Sequence, residues 1–144
     1  MKRGLAGDTG GVERAGDWST KAVPDLVAWL RGEVGGFARS AGFEERRVAE
    51  VRLAVTEAVT NVVLHAYRHR SEPGSVRVKA RSDGALVIVV EDDGIRPQPR
   101  MDSPGAGLGL PLMASLAQAV QVERCPTGGT CLTLCFERGV AATL

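Results

Sequence analysis

Residues 53–67, LAVTEAVTNVVLHAY, admit few folds. At about 100° per residue a helix sets Glu57, Asn61 and His65 in one row at i, i+4 and i+8, drifting by about 40° per step. Val51, Val55, Ala58, Val59, Val62 and Ala66 form an apolar stripe on the other side, so the helix has a core face. A solvated polar face normally mixes Lys and Arg with acids. This row holds only the charge of Glu57 and is flanked by Leu53, Ala54 and Leu64. A carboxylate and a carboxamide therefore face a walled space, as they do where a helix floors a ligand site.

The segments on either side limit the architecture. Residues 1–16 hold five glycines and no period, which predicts a flexible tail. Pro24 opens a helical pattern that buries Leu26, Leu30, Val34, Phe37 and Ala41, and Gly42 closes it. The helix with the polar row spans about residues 44–69, with Glu44 and Glu45 at the positive end of its dipole. Val76, Val78 and Ala80 alternate with Arg77, Lys79 and Arg81, which predicts a strand at the sheet edge with one wet face. After a turn at Ser82-Asp83-Gly84, residues 85–91 are almost continuously apolar and read as a central strand. Residues 95–106 hold three prolines and two arginines without an apolar period, marking a long loop of the kind that is usually functional. A third helix over 108–118 tolerates Pro111 in its first turn. Two strands around Val120/Val122 and Leu132/Leu134/Phe136, joined by a turn at Thr127-Gly128-Gly129, complete the chain.

The order αα-ββ-α-ββ excludes a doubly wound parallel sheet, because strands do not alternate with helices. It predicts an α+β fold: a two-layer sandwich with a mixed, mostly antiparallel sheet and helices on one face. At 144 residues, one domain over 17–138 with short tails at 1–16 and 139–144 is expected. A net charge of +1 encourages neither nucleic-acid nor membrane binding, and no apolar run approaches a membrane span. Cys125, Cys131 and Cys135 lack metal-ligand spacing, and their odd number predicts free thiols in a reducing compartment, the cytoplasm, rather than a disulfide framework.

Three positions carry further chemistry. Gly105, Gly107 and Gly109 lead into the third helix, where backbone and helix N-terminus can approach an anion such as phosphate, although a Gly-rich loop alone is equally often only a loop. The common nucleotide-binding loops, G-x-x-x-x-G-K-[ST] and a strand followed by G-x-G-x-x-G, are absent. Asp92 shares strand parity with Leu86, Ile88 and Val90 and points inward if they do, where it needs a donor such as an adenine amine. Asp93-Gly94 reads as a turn.

Taken in order, Glu57-x-x-x-Asn61-x-x-x-His65-Ala66-Tyr67, Asp92-x-Gly94, Gly105-x-Gly107-Leu108-Gly109-Leu110 and Gly129-Thr130 resemble the N, G1 and G2 boxes of the GHKL ATPase superfamily. Within it, the likeness is greatest to the small anti-sigma-factor serine/threonine kinases, whose N-box helix also reads E-A-V-x-N…H-A-Y, and it covers residues 24–136. The resemblance implies Mg²⁺ and ATP as cofactors, Asn61 as the Mg²⁺ ligand and Glu57 as general base. It implies Asp92 as adenine reader with Gly94 leaving the base edge open, and Gly105, Gly107, Leu108 and Gly109 as the phosphate lid. Thr130 would support adenine; its parity with Leu132 and Leu134 agrees.

A sigma factor and an anti-anti-sigma protein are the implied partners, and a homodimer stays open. His65 reads as a hydrogen-bonded structural residue, and Arg100 as a solvated loop arginine or a phosphate contact. The sequence departs from the family at Arg96, where the G1 box has its second glycine. That substitution keeps two alternatives alive: a nucleotide-binding or purely partner-sequestering module without turnover, and the catalytic half of a split histidine kinase.

Overall fold

The computed structural model describes residues 2–5 (as backbone), 13–95, 109–126 and 128–138. The elements run β1 (Lys2–Leu5), β2 (Arg14–Lys21), a 3-10 turn (Pro24–Leu26), α1 (Val27–Ser40), α2 (Glu45–Asn61), a π-helical turn (Val62–Ala66), β3 (Ser75–Ser82), β4 (Leu86–Asp92), α3 (Leu110–Leu116), β5 (Ala119–Arg124) and β6 (Thr130–Phe136). The six strands form one sheet in the order β1-β2-β3-β4-β6-β5. Among the described residues every pairing is antiparallel.

Strand parity builds the second layer. Val76, Val78 and Ala80 of β3, Leu86, Ile88 and Val90 of β4, and Leu132, Leu134 and Phe136 of β6 are all buried. They share one cluster with Leu30, Val34 and Phe37 of α1 and Val48, Val51, Val55 and Val59 of α2. Helices therefore cover one face, giving the expected α+β sandwich. On the other face Arg77 pairs with Glu91 and, at 3.0 and 3.1 Å, with Asp93. Those carboxylates raise the Arg77 pKa, the hydrogen bonds that Arg77 donates to Asp93 being the largest cause.

Two parts of the sheet depart from expectation. Residues 2–5 and 14–16, assigned to a tail, belong to β1 and β2. As a result β3 has β2 beside it along its whole length and is not an edge strand. The inward residues of β2 are Gly16, Trp18 and Thr20, a series without apolar alternation. Gly16 is small because the Trp18 ring lies over it, leaving no room for a Cβ. Trp18 in turn is buried, donates its indole N–H to Glu33 at 3.2 Å and meets Phe37 edge to face with centroids 6.0 Å apart. The second departure is a disulfide between Cys125 and Cys131. A tight turn brings their Cα atoms to 5.2 Å, a closeness that spacing rules for metal sites do not detect.

Arg47 locks α2 to the far end of α3. It is buried and donates to the carbonyls of Leu116 at 3.0 Å and Glu137 at 3.2 Å, and it also meets Glu50 and Gln118. A guanidinium on the last carbonyls of a helix satisfies orphan acceptors and opposes the negative end of the dipole. Among the described residues, no helix is long and apolar enough to cross a membrane.

Candidate functional site

A cleft lies between α2 and the sheet, with about 490 Å³ of space in it and at its open mouth. Its walls are apolar: Ala58, Val62 and Ala66 from α2 and its π-turn, Val90 from β4, Val122 and Leu132 from β5 and β6, and Leu110 from α3. Asp92, Thr130 and Asn61 are its polar lining residues.

Asp92 ends β4 on the buried parity, 3% exposed. Its Oδ1 accepts the Gly94 amide at 2.9 Å, and the Thr130 amide also bonds to the carboxylate. Burial nevertheless raises its pKa, outweighing those two donors. The Thr130 hydroxyl oxygen is buried without a partner among the described residues. A buried acceptor carboxylate beside an orphaned hydroxyl, between apolar walls, is a donor set that an amine-bearing flat heterocycle satisfies.

Ala58, Val62 and Ala66, spaced by four, line the cleft together with Asn61, and neither Glu57 nor His65 is among the lining residues. The predicted row of Glu57, Asn61 and His65 therefore meets the cleft only at Asn61. After Asn61 the helix continues as a π-turn over Val62–Ala66. His65 is half-buried, and burial, with the nearby Arg68 charge, lowers its pKa. Glu57 stands one turn before Asn61, half-buried and outside the cleft lining. Its carboxylate packs against Gly109, which caps α3 in the left-handed region at φ 75°. A Cβ on Gly109 would lie 2.6 Å from Glu57 Oε2, so that glycine serves both the turn and the close approach.

Gly94 has a different tight neighbour from the expected base edge. A Cβ there would collide with the carbonyl of Ala66, which accepts the Ile95 amide at 2.8 Å. The missing side chain makes room for the π-turn. Gly94→Ala is expected to destabilise the fold by about 1–3 kcal/mol or more, because backbone rather than a movable side chain must yield; thermal denaturation would measure it.

Tyr67, whose role the sequence left unassigned, ties the same two elements. It is buried, its hydroxyl donates to the Ser75 carbonyl at 2.5 Å and accepts the Asp93 amide at 2.8 Å. It thereby sets the end of β4, and Asp92 with it, against the helix carrying Asn61. Tyr67→Phe keeps the ring but orphans both backbone groups, and a loss of about 1–3 kcal/mol is expected in urea unfolding. The sequence signal was an aromatic with a polar tip next to a helix end, which periodicity does not distinguish from core.

Gly105, Gly107 and Leu108 of the expected lid, with Arg96 and Arg100, lie outside the described residues. Among the described residues no group of three or more His, Cys, Asp or Glu could hold a metal. Asn61 offers one amide oxygen, which suits a hard cation that takes its other ligands from water and phosphate.

Comparison with known proteins agrees with this geometry. A family described as Histidine kinase-like ATPase domain matches residues 20–136. The chain is 30% identical over 131 residues to "Serine-protein kinase RsbW" of Bacillus licheniformis, covering 78% of this chain and 81% of that protein. It is 32% identical over 119 residues to "Anti-sigma F factor" of Clostridium kluyveri, covering 74% and 82%. Among solved structures, the RsbU and RsbW domains of Rv1364c from Mycobacterium tuberculosis share the fold with a TM-score of 0.61 at 21% identity, covering 84% of this chain and 32% of that one. The blue-light activated histidine kinase EL346 of Erythrobacter litoralis matches with a TM-score of 0.59 at 25% identity, covering 83% and 43%. An antiparallel sheet under helices, a cleft with an inward Asp92 and an orphaned Thr130, and a family match over most of the chain lead to one conclusion: this chain belongs to the histidine kinase-like ATPase family.

Proposed function

We propose that the chain is a Mg·ATP-binding anti-sigma regulatory factor that phosphorylates a serine or threonine of an anti-anti-sigma protein. The observation that carries this reading is the layout of one site: Asp92 and Thr130 in the cleft with Asn61, and Glu57 one helical turn from Asn61. In this reading Asp92 accepts the adenine amine and the Thr130 hydroxyl supports the same edge. Asn61 holds Mg²⁺ through its amide oxygen. Mg·ATP, when bound, supplies the transferable phosphoryl group and a cation that offsets its charge. The Glu57 carboxylate, beside Gly109 and one helical turn from Asn61, takes the proton of an attacking hydroxyl. Gly105, Gly107, Leu108 and Gly109 form the lid, and Gly94 lets β4 turn close to the helix. The domain takes in the whole sheet, β1 to β6, and works in the cytoplasm, sequestering a sigma factor, alone or as a homodimer.

The names of the relatives, a serine-protein kinase and an anti-sigma factor, support the assignment. Mixing the chain with Mg·ATP and anti-anti-sigma proteins tests it: phosphate on a serine or threonine is expected. Transfer that Glu57→Ala leaves unchanged would remove the proposed base. Arg96 in the G1 box favours a second reading, a sequestering module that binds nucleotide without turnover, and it predicts binding with no transfer.

A further inference from the structure

The disulfide at the β5–β6 turn lies beside the adenine end of the cleft. Cys131 directly follows Thr130 in β6, and strand parity sends it to the opposite face, where its Sγ is 3.9 Å from Glu91 Oε2. Its side chain is half-buried, whereas Cys125 is buried. Within the turn the Cys125 amide donates to the Gly129 carbonyl at 2.8 Å, and the Gly128 amide to the Cys125 carbonyl at 2.9 Å. Cys131 pairs with Glu123 and Thr130 with Arg124, so the bridge runs diagonally across the last rungs of the ladder.

The backbone so tethered is the backbone that holds Asp92. The Thr130 amide bonds to the Asp92 carboxylate, and Gly129 lies so close to the Asp92 carbonyl that no side chain fits. We propose that Cys125–Cys131 is a thiol–disulfide exchange site whose state sets the affinity of the adjoining cleft for adenine nucleotide. The coupling rests on the nucleotide reading above; the exchange itself does not.

The chemistry needs a dithiol as reductant. One of its thiolates attacks the sulfur of the half-buried Cys131, the S–S bond breaks, and the Cys125 sulfur leaves as a thiolate and takes up a proton. The second thiolate displaces Cys131 from the mixed disulfide. The protein gains two electrons and two protons as two thiols, and the reductant becomes a disulfide. Opening the ring frees residues 126–129 from their covalent tether and lets the terminal rungs fray, so the Thr130 amide no longer holds a fixed position on Asp92.

The test uses the full chain, oxidised or treated with dithiothreitol. Mass spectrometry after alkylation should show Cys125 and Cys131 labelled only in the reduced form, and amide exchange at Thr130 and Cys131 should speed up. Titration with Mg·ATP should give a Kd at least about fivefold weaker in the reduced form. Cys125→Ser with Cys131→Ser should show the weaker Kd under both conditions, and Cys135→Ser should keep the response. A bridge that dithiothreitol leaves intact in the folded chain overturns the proposal. So does an unchanged Kd on reduction, or a response that persists in the double variant. Absence of nucleotide binding in both states overturns the nucleotide reading itself and the coupling with it, while the labelling still reports the exchange.

Discussion

Glu57→Gln is expected to slow phosphoryl transfer to the partner hydroxyl by about a hundredfold to ten-thousandfold, the range for loss of a positioned base. Mg·ATP affinity should stay within about threefold of wild type, because Glu57 is not part of the cleft lining. The amide keeps the size of the carboxylate that packs on Gly109, so the substitution tests proton acceptance rather than packing. Single-turnover transfer from labelled ATP, set beside equilibrium titration, separates the two. A variant that lost affinity and kept its transfer rate would make Glu57 a support for the α3 cap and leave the base elsewhere.

Asp92→Asn carries the second large effect, with opposite consequences for binding and stability. In the proposed reading adenine presents a donor amine to Asp92, and an amide that turns its own N–H₂ to that edge would leave two donors facing each other. Nucleotide affinity should fall by about tenfold to a hundredfold. Stability should move the other way. Burial raises the Asp92 pKa in the fold, so the folded chain binds that proton more tightly than the unfolded chain. The stabilising contribution of this group is then complete below the ordinary carboxyl range and is lost as pH rises through the raised value. At neutral pH the buried charge is a cost, which asparagine removes while its oxygen still accepts the Gly94 and Thr130 amides. Without nucleotide, Asp92→Asn should be at least as stable as wild type at pH 7, with the difference closing towards about pH 4. Denaturant titrations across that range would show it, and a variant less stable than wild type at pH 7 would make Asp92 a structural residue instead.

Much of this site was legible because strands alternate with period two. Parity alone sent Asp92 and Thr130 to the helix face and Asp93 to the outer face, where it meets Arg77. Helical periodicity placed Asn61 one turn from Glu57 in the same way. Its polar row met the cleft only at Asn61: the lining residues Ala58, Val62 and Ala66 come from the stripe read as the core face, and Glu57 and His65 lie outside the lining. The second strand was missed for a different reason: Gly16 is small to fit the Trp18 ring, which removes the apolar alternation that marks a strand. The disulfide escaped because its two cysteines, six residues apart, meet only once a tight turn folds β6 back on β5. Tyr67 and Gly94 owe their places to backbone groups of distant segments, Ser75, Asp93 and Ala66, contacts that only the folded chain brings together.

The central claim is that the cleft reads adenine through an inward carboxylate. Guanine presents a carbonyl oxygen where adenine presents its amine, so it would set an acceptor against Asp92. Titration calorimetry of the wild-type chain with Mg·ATP and with Mg·GTP tests this most directly. The proposed function predicts saturable one-site binding of Mg·ATP, with Mg·GTP weaker by at least about tenfold; no saturable binding of Mg·ATP, or equal affinity for the two, would contradict it.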